Sequence, residues 1–165
     1  MKNLYIKQKV FSVKDRFTVM DEAQRNLYEV TGSFFKIPKE FQIVNQEKVV
    51  VAVIKKKILA FLPAFIVEIA GQETIEIKKK LTFMRDRYTI SLDGLEVKGN
   101  WWDMDFEVYH SHHLVATIHK KWLSWGDTYE IQLQDETKES VVVALVIAID
   151  CVKAEQRRRS TSTSS

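Results

Sequence analysis

Few residues in this chain have types and spacings that could do chemistry. His110, His112 and His113 stand together as HSHH. Imidazole is a common transition-metal ligand, so these three could hold a metal and support a metal-dependent enzyme. They fall at a predicted hairpin tip, where polar residues are ordinary, and the spacing fixes no cysteine or carboxylate beside them. Asp103, Asp105 and Glu107 alternate in WDMDFEV. On one strand face, three carboxylates could bind a hard cation or act as acid and base. The interleaved Met104, Phe106 and Val108 explain the same pattern as in/out alternation on a half-buried strand. The chain has no glycine-rich phosphate loop, GxSxG, HExxH or CxxC. These residues point to a protein with no catalytic group, no cofactor and no metal site. The metal-dependent enzyme is the alternative.

Lysine is the polar residue that recurs. Lys55-Lys56-Lys57 and Lys78-Lys79-Lys80, with Arg85 and Arg87, are the candidate anion-binding residues. A basic residue close to an anionic membrane is worth ~1 kcal/mol. The competing explanation is a solvated outer face that protects strand edges. Trp101, Trp102, Trp122 and Trp125 suit either an interfacial anchor or a core, and their repeat positions favour the core.

What positions these residues is a repeat. Phe17, Phe41, Phe65, Tyr88, Phe106 and Tyr129 are each followed two residues later by an aliphatic side chain, from Val19 to Ile131. Eleven residues before each stands Ile6, Val30, Ile54, Ile77, Leu95 or Ile118. Four residues before stands Val13, Ile37, Phe61, Met84, Trp102 or Trp125. Eight residues before, lysine occupies every copy but one: Lys9, Lys57, Lys80, Lys98 and Lys121, with Ser33 the exception. Each copy reads as two alternating strands, and Asp93-Gly94 is a strong hairpin signal. Six copies give about twelve strands. A sheet of that size curls or closes, because twist accumulates and edges are a liability. A barrel of ~12 strands is too wide for its own side chains to fill. On this arrangement the lysine column runs round the cylinder as a ring.

The segment VVVALVIAIDCV, Val141 to Val152, is the candidate to fill the lumen. It could be a buried helix, a β-branched strand or a membrane segment. As a helix, twelve residues reach only ~18 Å against ~30 Å of hydrocarbon. Acids before it and cations after it suit a helix dipole. The expected helix covers about 138–156, closing a single domain over 1–156, with 157–165 a disordered Arg/Ser/Thr tail. Asp150 inside the run is expected to be tied to a lysine or backbone donor of the wall. Cys151 is expected to be a buried, inert thiol. One cysteine and the absence of an apolar leader suggest a cytoplasmic protein, with a peripheral place at the membrane as the second expectation. The net charge of +3 is too mild to imply nucleic acid.

Together, LYIKQKVFSVKDRFTVMDE, KKKLTFMRDRYTI, GNWWDMDFEV, VATIHKKWLSWGDTYEI and VVVALVIAIDCV resemble the LURP-one-related family of the Tubby C-terminal-like superfamily, which also includes the phospholipid scramblases. The resemblance implies a closed, roughly twelve-stranded β-barrel threaded by a hydrophobic C-terminal helix. It also implies an association with phosphoinositides or other lipids. Scramblases carry an acidic, calcium-associated segment before the helix. Here Gln134-Asp135-Glu136-Thr137-Lys138 runs straight into the helix and leaves no room for one. The expected function is a non-catalytic barrel that binds or scaffolds, with an anionic lipid surface or another protein as partner.

Overall fold

Period-two alternation becomes twelve strands in a computed structural model, which describes residues 1–9, 16–33, 40–57, 64–71, 74–80, 87–91, 94–121 and 128–162. The strands are β1 (Lys2–Lys9), β2 (Arg16–Asp21), β3 (Asn26–Ser33), β4 (Glu40–Asn45), β5 (Val50–Lys56) and β6 (Ala64–Ile69). They continue as β7 (Ile75–Lys80), β8 (Arg87–Ser91), β9 (Leu95–Asn100), β10 (Asp105–His110), β11 (His113–Lys121) and β12 (Thr128–Leu133). A single helix, α1, spans Glu139–Ser162.

All twelve strands lie in one sheet, ordered β8-β7-β6-β5-β4-β3-β2-β1-β12-β11-β10-β9. Every pairing is antiparallel. Chain neighbours pair except β8 and β9, and β1 meets β12, so the first and last strands lie side by side. The two edges, β8 and β9, are consecutive in the chain. Among the described residues no ladder joins them, so the expected closed barrel has a seam there. The Asp93-Gly94 hairpin expectation falls at the same place, and Asp93 lies outside the described residues. Gly94 has φ +71°, and its carbonyl accepts from Ser111 N–H at 2.9 Å, tying it to the β10–β11 turn.

The inner face is the one that alternation predicts. Ile6, Val30, Ile54, Ile77, Leu95 and Ile118 are buried, as are Phe17, Phe41, Phe65, Phe106 and Tyr129. They surround α1, in which every residue from Val141 to Val152 is buried. A helix with no wet side has to be enclosed, so the sheet curls round it. At ~1.5–3 kcal/mol for each buried aliphatic side chain, this contact dominates the core. The buried helix is therefore the correct reading of the apolar run. Of the column four residues before the aromatics, only Trp102 is described, and it is exposed. The core expectation for it was wrong, because it sits in a 3-10 turn, Trp101–Asp103, between β9 and β10.

The helix starts where the sequence suggests. The Asp135 side chain accepts from Thr137 N–H and caps a 3-10 turn, Glu136–Lys138, that leads into α1. It ends later than expected, since residues 157–162 are helical rather than a disordered tail. Glu155 and Arg159, four residues apart and 3.3 Å from each other, support this last stretch. Cations there also suit the negative end of the helix dipole.

Candidate anion-binding rim

Antiparallel pairing settles which strand ends share a rim. Lys9 pairs with Arg16, Ser33 with Glu40, Lys56 with Phe65, Lys80 with Arg87, Asn100 with Asp105 and Lys121 with Thr128. The last residues of the odd-numbered strands and the first of the even-numbered ones therefore lie at one end of the cylinder. Lys9, Ser33, Lys57, Lys80 and Lys121 of the repeating column lie at this rim, and Lys98 lies two residues inside it, opposite Glu107. The ring expectation holds around the circumference. What the sequence reading missed is that the ring is confined to one end. The signal was present, because the column always falls at the close of the first strand of a copy.

The candidate residues divide as follows. Lys55 and Lys56 end β5 and Lys57 follows it, while Lys78, Lys79 and Lys80 end β7, with β6 between the two strands. Arg87 opens β8 and is Lys80's register partner. Arg85 lies outside the described residues. Lys55 and Lys57 stand 2.7 and 2.9 Å from Glu68 and Glu76, and Lys78 shares Glu76 at 2.7 Å. Lys98 pairs with Glu96 at 3.1 Å and Lys121 with Glu130 at 2.6 Å. Hydrogen bonds from Lys78 and Lys57 hold the Glu76 carboxyl below its ordinary range, and Lys98 does the same to Glu96. Glu68 and Glu130 push Lys55 and Lys121 up. These lysines are thus charged and internally neutralised. Such exposed pairs are worth only ~0–1 kcal/mol each, so an incoming phosphate could displace the glutamate.

Lys56 differs from its neighbours. It faces the lumen and stands 2.6 Å from Glu155 of α1, with both groups largely buried. This contact places the C-terminal part of α1 at the lysine rim, where exposed Arg157 and Arg159 follow. At the other end of the helix, Glu139 meets Lys2 at 2.6 Å and accepts from the Tyr28 hydroxyl at 2.9 Å. Burial, and then the Glu139 charge, push the Tyr28 hydroxyl well above its ordinary pKa. The rim around that end carries Asp21, Glu22, Glu47, Asp135 and Glu136, with Arg25, Lys48 and Lys138 among them. The molecule is rich in lysine at one end and mixed in charge, with acids in the majority, at the other, and α1 runs from the mixed end to the basic one. Its dipole matches both.

The other candidates do not form sites. Met104 has φ +59° and a buried side chain, which lifts Asp103 off the strand into the 3-10 turn. Asp105 and Glu107 stay on β10 and separate by partner. Asp105 faces His119 at 2.7 Å, and Glu107 accepts from the Tyr109 hydroxyl at 2.8 Å. The sequence reading overlooked His119, since nothing in its spacing marks a partner fourteen residues away across a ladder. His112 and His113 are exposed at the β10–β11 turn. Among the described residues, no three His, Cys, Asp or Glu side chains stand close enough to hold a metal. Asp150 accepts from the Tyr129 hydroxyl of β12 at 2.5 Å, which gives it a tyrosine partner on the wall. Cys151 is buried and in no disulfide. Among the described residues no helix is long and apolar enough to cross a membrane, which says nothing about strands.

Comparison with known proteins gives a consistent result. The family model described as LURP-one-related matches residues 2–150. An uncharacterised protein of Bacillus subtilis (strain 168), YxjI, is 32% identical over 152 residues, covering 92% of this chain and 94% of that one. The X-ray structure of a protein from Arabidopsis thaliana covers 91% of both chains with a TM-score of 0.57 at 15% identity, a likeness of fold alone.

Proposed function

This chain belongs to the LURP-one-related family, and from that premise we propose that it is a non-catalytic binding module that docks end-on, by its lysine rim, to an anionic phospholipid surface. The observation that carries this reading is the sorting of charge along the barrel axis. The repeating lysines and the arginines that end α1 share one rim, while the other mixes a majority of carboxylates with Arg25, Lys48 and Lys138. A charged plane aligns such a molecule before contact and draws the basic end toward itself. Lys55, Lys57 and Lys78 then exchange carboxylate partners for lipid phosphates, with Lys79, Lys80 and Arg87 in the same stretch of rim by register. Each contributes ~1 kcal/mol at close approach, so several are needed for stable binding. The missing catalytic motifs and the absence of a converging ligand set among the described residues favour binding over catalysis.

Co-sedimentation with vesicles is the test. The protein should pellet with phosphatidylcholine/phosphatidylserine vesicles at low salt, less at physiological salt, and not with phosphatidylcholine alone. Reversing charge at Lys55, Lys57 and Lys78 to Glu should abolish pelleting. If nothing pellets with the anionic vesicles at low salt, the proposal is wrong.

A further inference from the structure

Trp101 and Trp102 lie on the same rim as the lysines, in the turn that carries the chain from Asn100 of β9 to Asp105 of β10. Their environments differ. Trp101 packs against the core, while Trp102 is 36% exposed. The two rings meet edge-to-face with centroids 5.5 Å apart, so the outer indole rests on the inner one. The turn beneath is fixed at both ends. The Asn100 side chain accepts from Asp103 N–H at 3.2 Å and donates to the Asp103 carboxylate at 2.6 Å. At the other end, buried Met104 adopts a left-handed conformation, and its N–H donates to the Trp101 carbonyl at 3.2 Å.

The chain's remaining tryptophans, Trp122 and Trp125, lie outside the described residues. Indole combines an apolar body with one N–H donor and concentrates where hydrocarbon meets head groups. Lysine beside indole is the pairing such an interface selects, since cations reach phosphates while the rings enter the acyl boundary. The two nearby carboxylates are both engaged, Asp103 with Asn100 and Asp105 with His119.

We infer that Trp102, braced by Trp101, is a membrane-interface anchor that inserts below the phosphate plane when the rim docks. This rests on the function proposed above and adds a depth of binding to it. A single-tryptophan variant keeping only Trp102, made by Trp101→Phe, Trp122→Phe and Trp125→Phe, reads it directly. With anionic vesicles its emission should shift to shorter wavelength and be quenched by lipids brominated near the head of the acyl chain. In the otherwise native protein, Trp102→Ala should weaken vesicle partitioning roughly tenfold, as expected for loss of one interfacial aromatic, with an unchanged urea midpoint. Should the vesicles be pelleted with Trp102 emission unshifted and unquenched, docking is purely electrostatic and the anchor is refuted while the rim reading stands. If the triple variant is misfolded, the Trp102→Ala partitioning ratio decides alone, and a ratio near one refutes the anchor. Absence of pelleting altogether would refute both.

Discussion

At the residue scale, the most informative polar group is the one that interrupts the apolar helix. Asp150 is fully buried, yet its carboxylate accepts a 2.5 Å bond from the Tyr129 hydroxyl. Tyr129 belongs to the aromatic column, which is phenylalanine in four copies and tyrosine in two. Its hydroxyl meets the one charge-bearing group in the run from Val141 to Val152. A bond to a charged or strongly polar buried group is worth ~1.5–3 kcal/mol. Tyr129→Phe keeps the ring and removes only that donor. It should lower unfolding stability by ~1–3 kcal/mol, visible as a lower urea midpoint at unchanged slope. A midpoint equal to wild type would show that the bond contributes nothing net.

At the scale of elements, α1 is gripped by its ends as well as by its apolar middle. Glu139 is held by β1 and β3 through Lys2 and Tyr28, and Glu155 by β5 through Lys56. Apolar packing alone tolerates a helix sliding along its own axis, because Val, Ile and Ala present similar surfaces. Ion pairs at both ends do not tolerate it, since a shift of one residue moves each carboxylate ~1.5 Å. The pairs therefore fix register more than they add stability. Lys56→Met leaves Glu155 largely buried with less compensation and should cost ~1–3 kcal/mol. Replacing both, as Lys56→Met with Glu155→Leu, should recover most of that loss. Urea denaturation of the two single variants and the double variant measures the coupling. Additive losses would mean that the pair does not act as a pair.

At the scale of the whole molecule, the response to pH follows from the local partners of its charged groups. Asp21, Glu76, Glu96 and Asp135 titrate below their ordinary range: Asp21 through the Arg25 backbone N–H, Glu76 and Glu96 through lysines, and Asp135 through Thr137. For a lowered carboxylate, the stabilisation is present above the unfolded pKa and disappears as pH falls through the folded one. Stability should therefore decline below pH ~4. Tyr28, Tyr5, Tyr109, Lys55 and Lys121 are raised. Their contribution is complete below the unfolded pKa and is lost above it, so a second decline should begin near pH ~10. Thermal unfolding across pH should show a plateau between these limbs, and Tyr28→Phe should make the alkaline limb shallower. An unaltered alkaline limb would remove Tyr28 from the account.

By itself the sequence determined the local periods and therefore most of the architecture. Alternation in Ile75-Glu76-Ile77-Lys78 can be satisfied only by a strand with one wet face, and a run apolar on all sides such as Val141–Val152 only by enclosure. Twelve strands and a plug follow from those two facts. The candidate site was less legible, because it depends on which ends of which strands coincide. Lys57 and Lys98 are forty-one residues apart, and only the ladder decides that they face the same end. The same holds for Glu155 meeting Lys56, for Tyr129 meeting Asp150 and for His119 meeting Asp105. Trp102 shows the limit most plainly. It occupies a column of large apolar residues, yet the left-handed turn at Met104 sends the methionine inward and leaves the indole outside. Period constrains a residue's face, but the pairing of distant strands decides its neighbours.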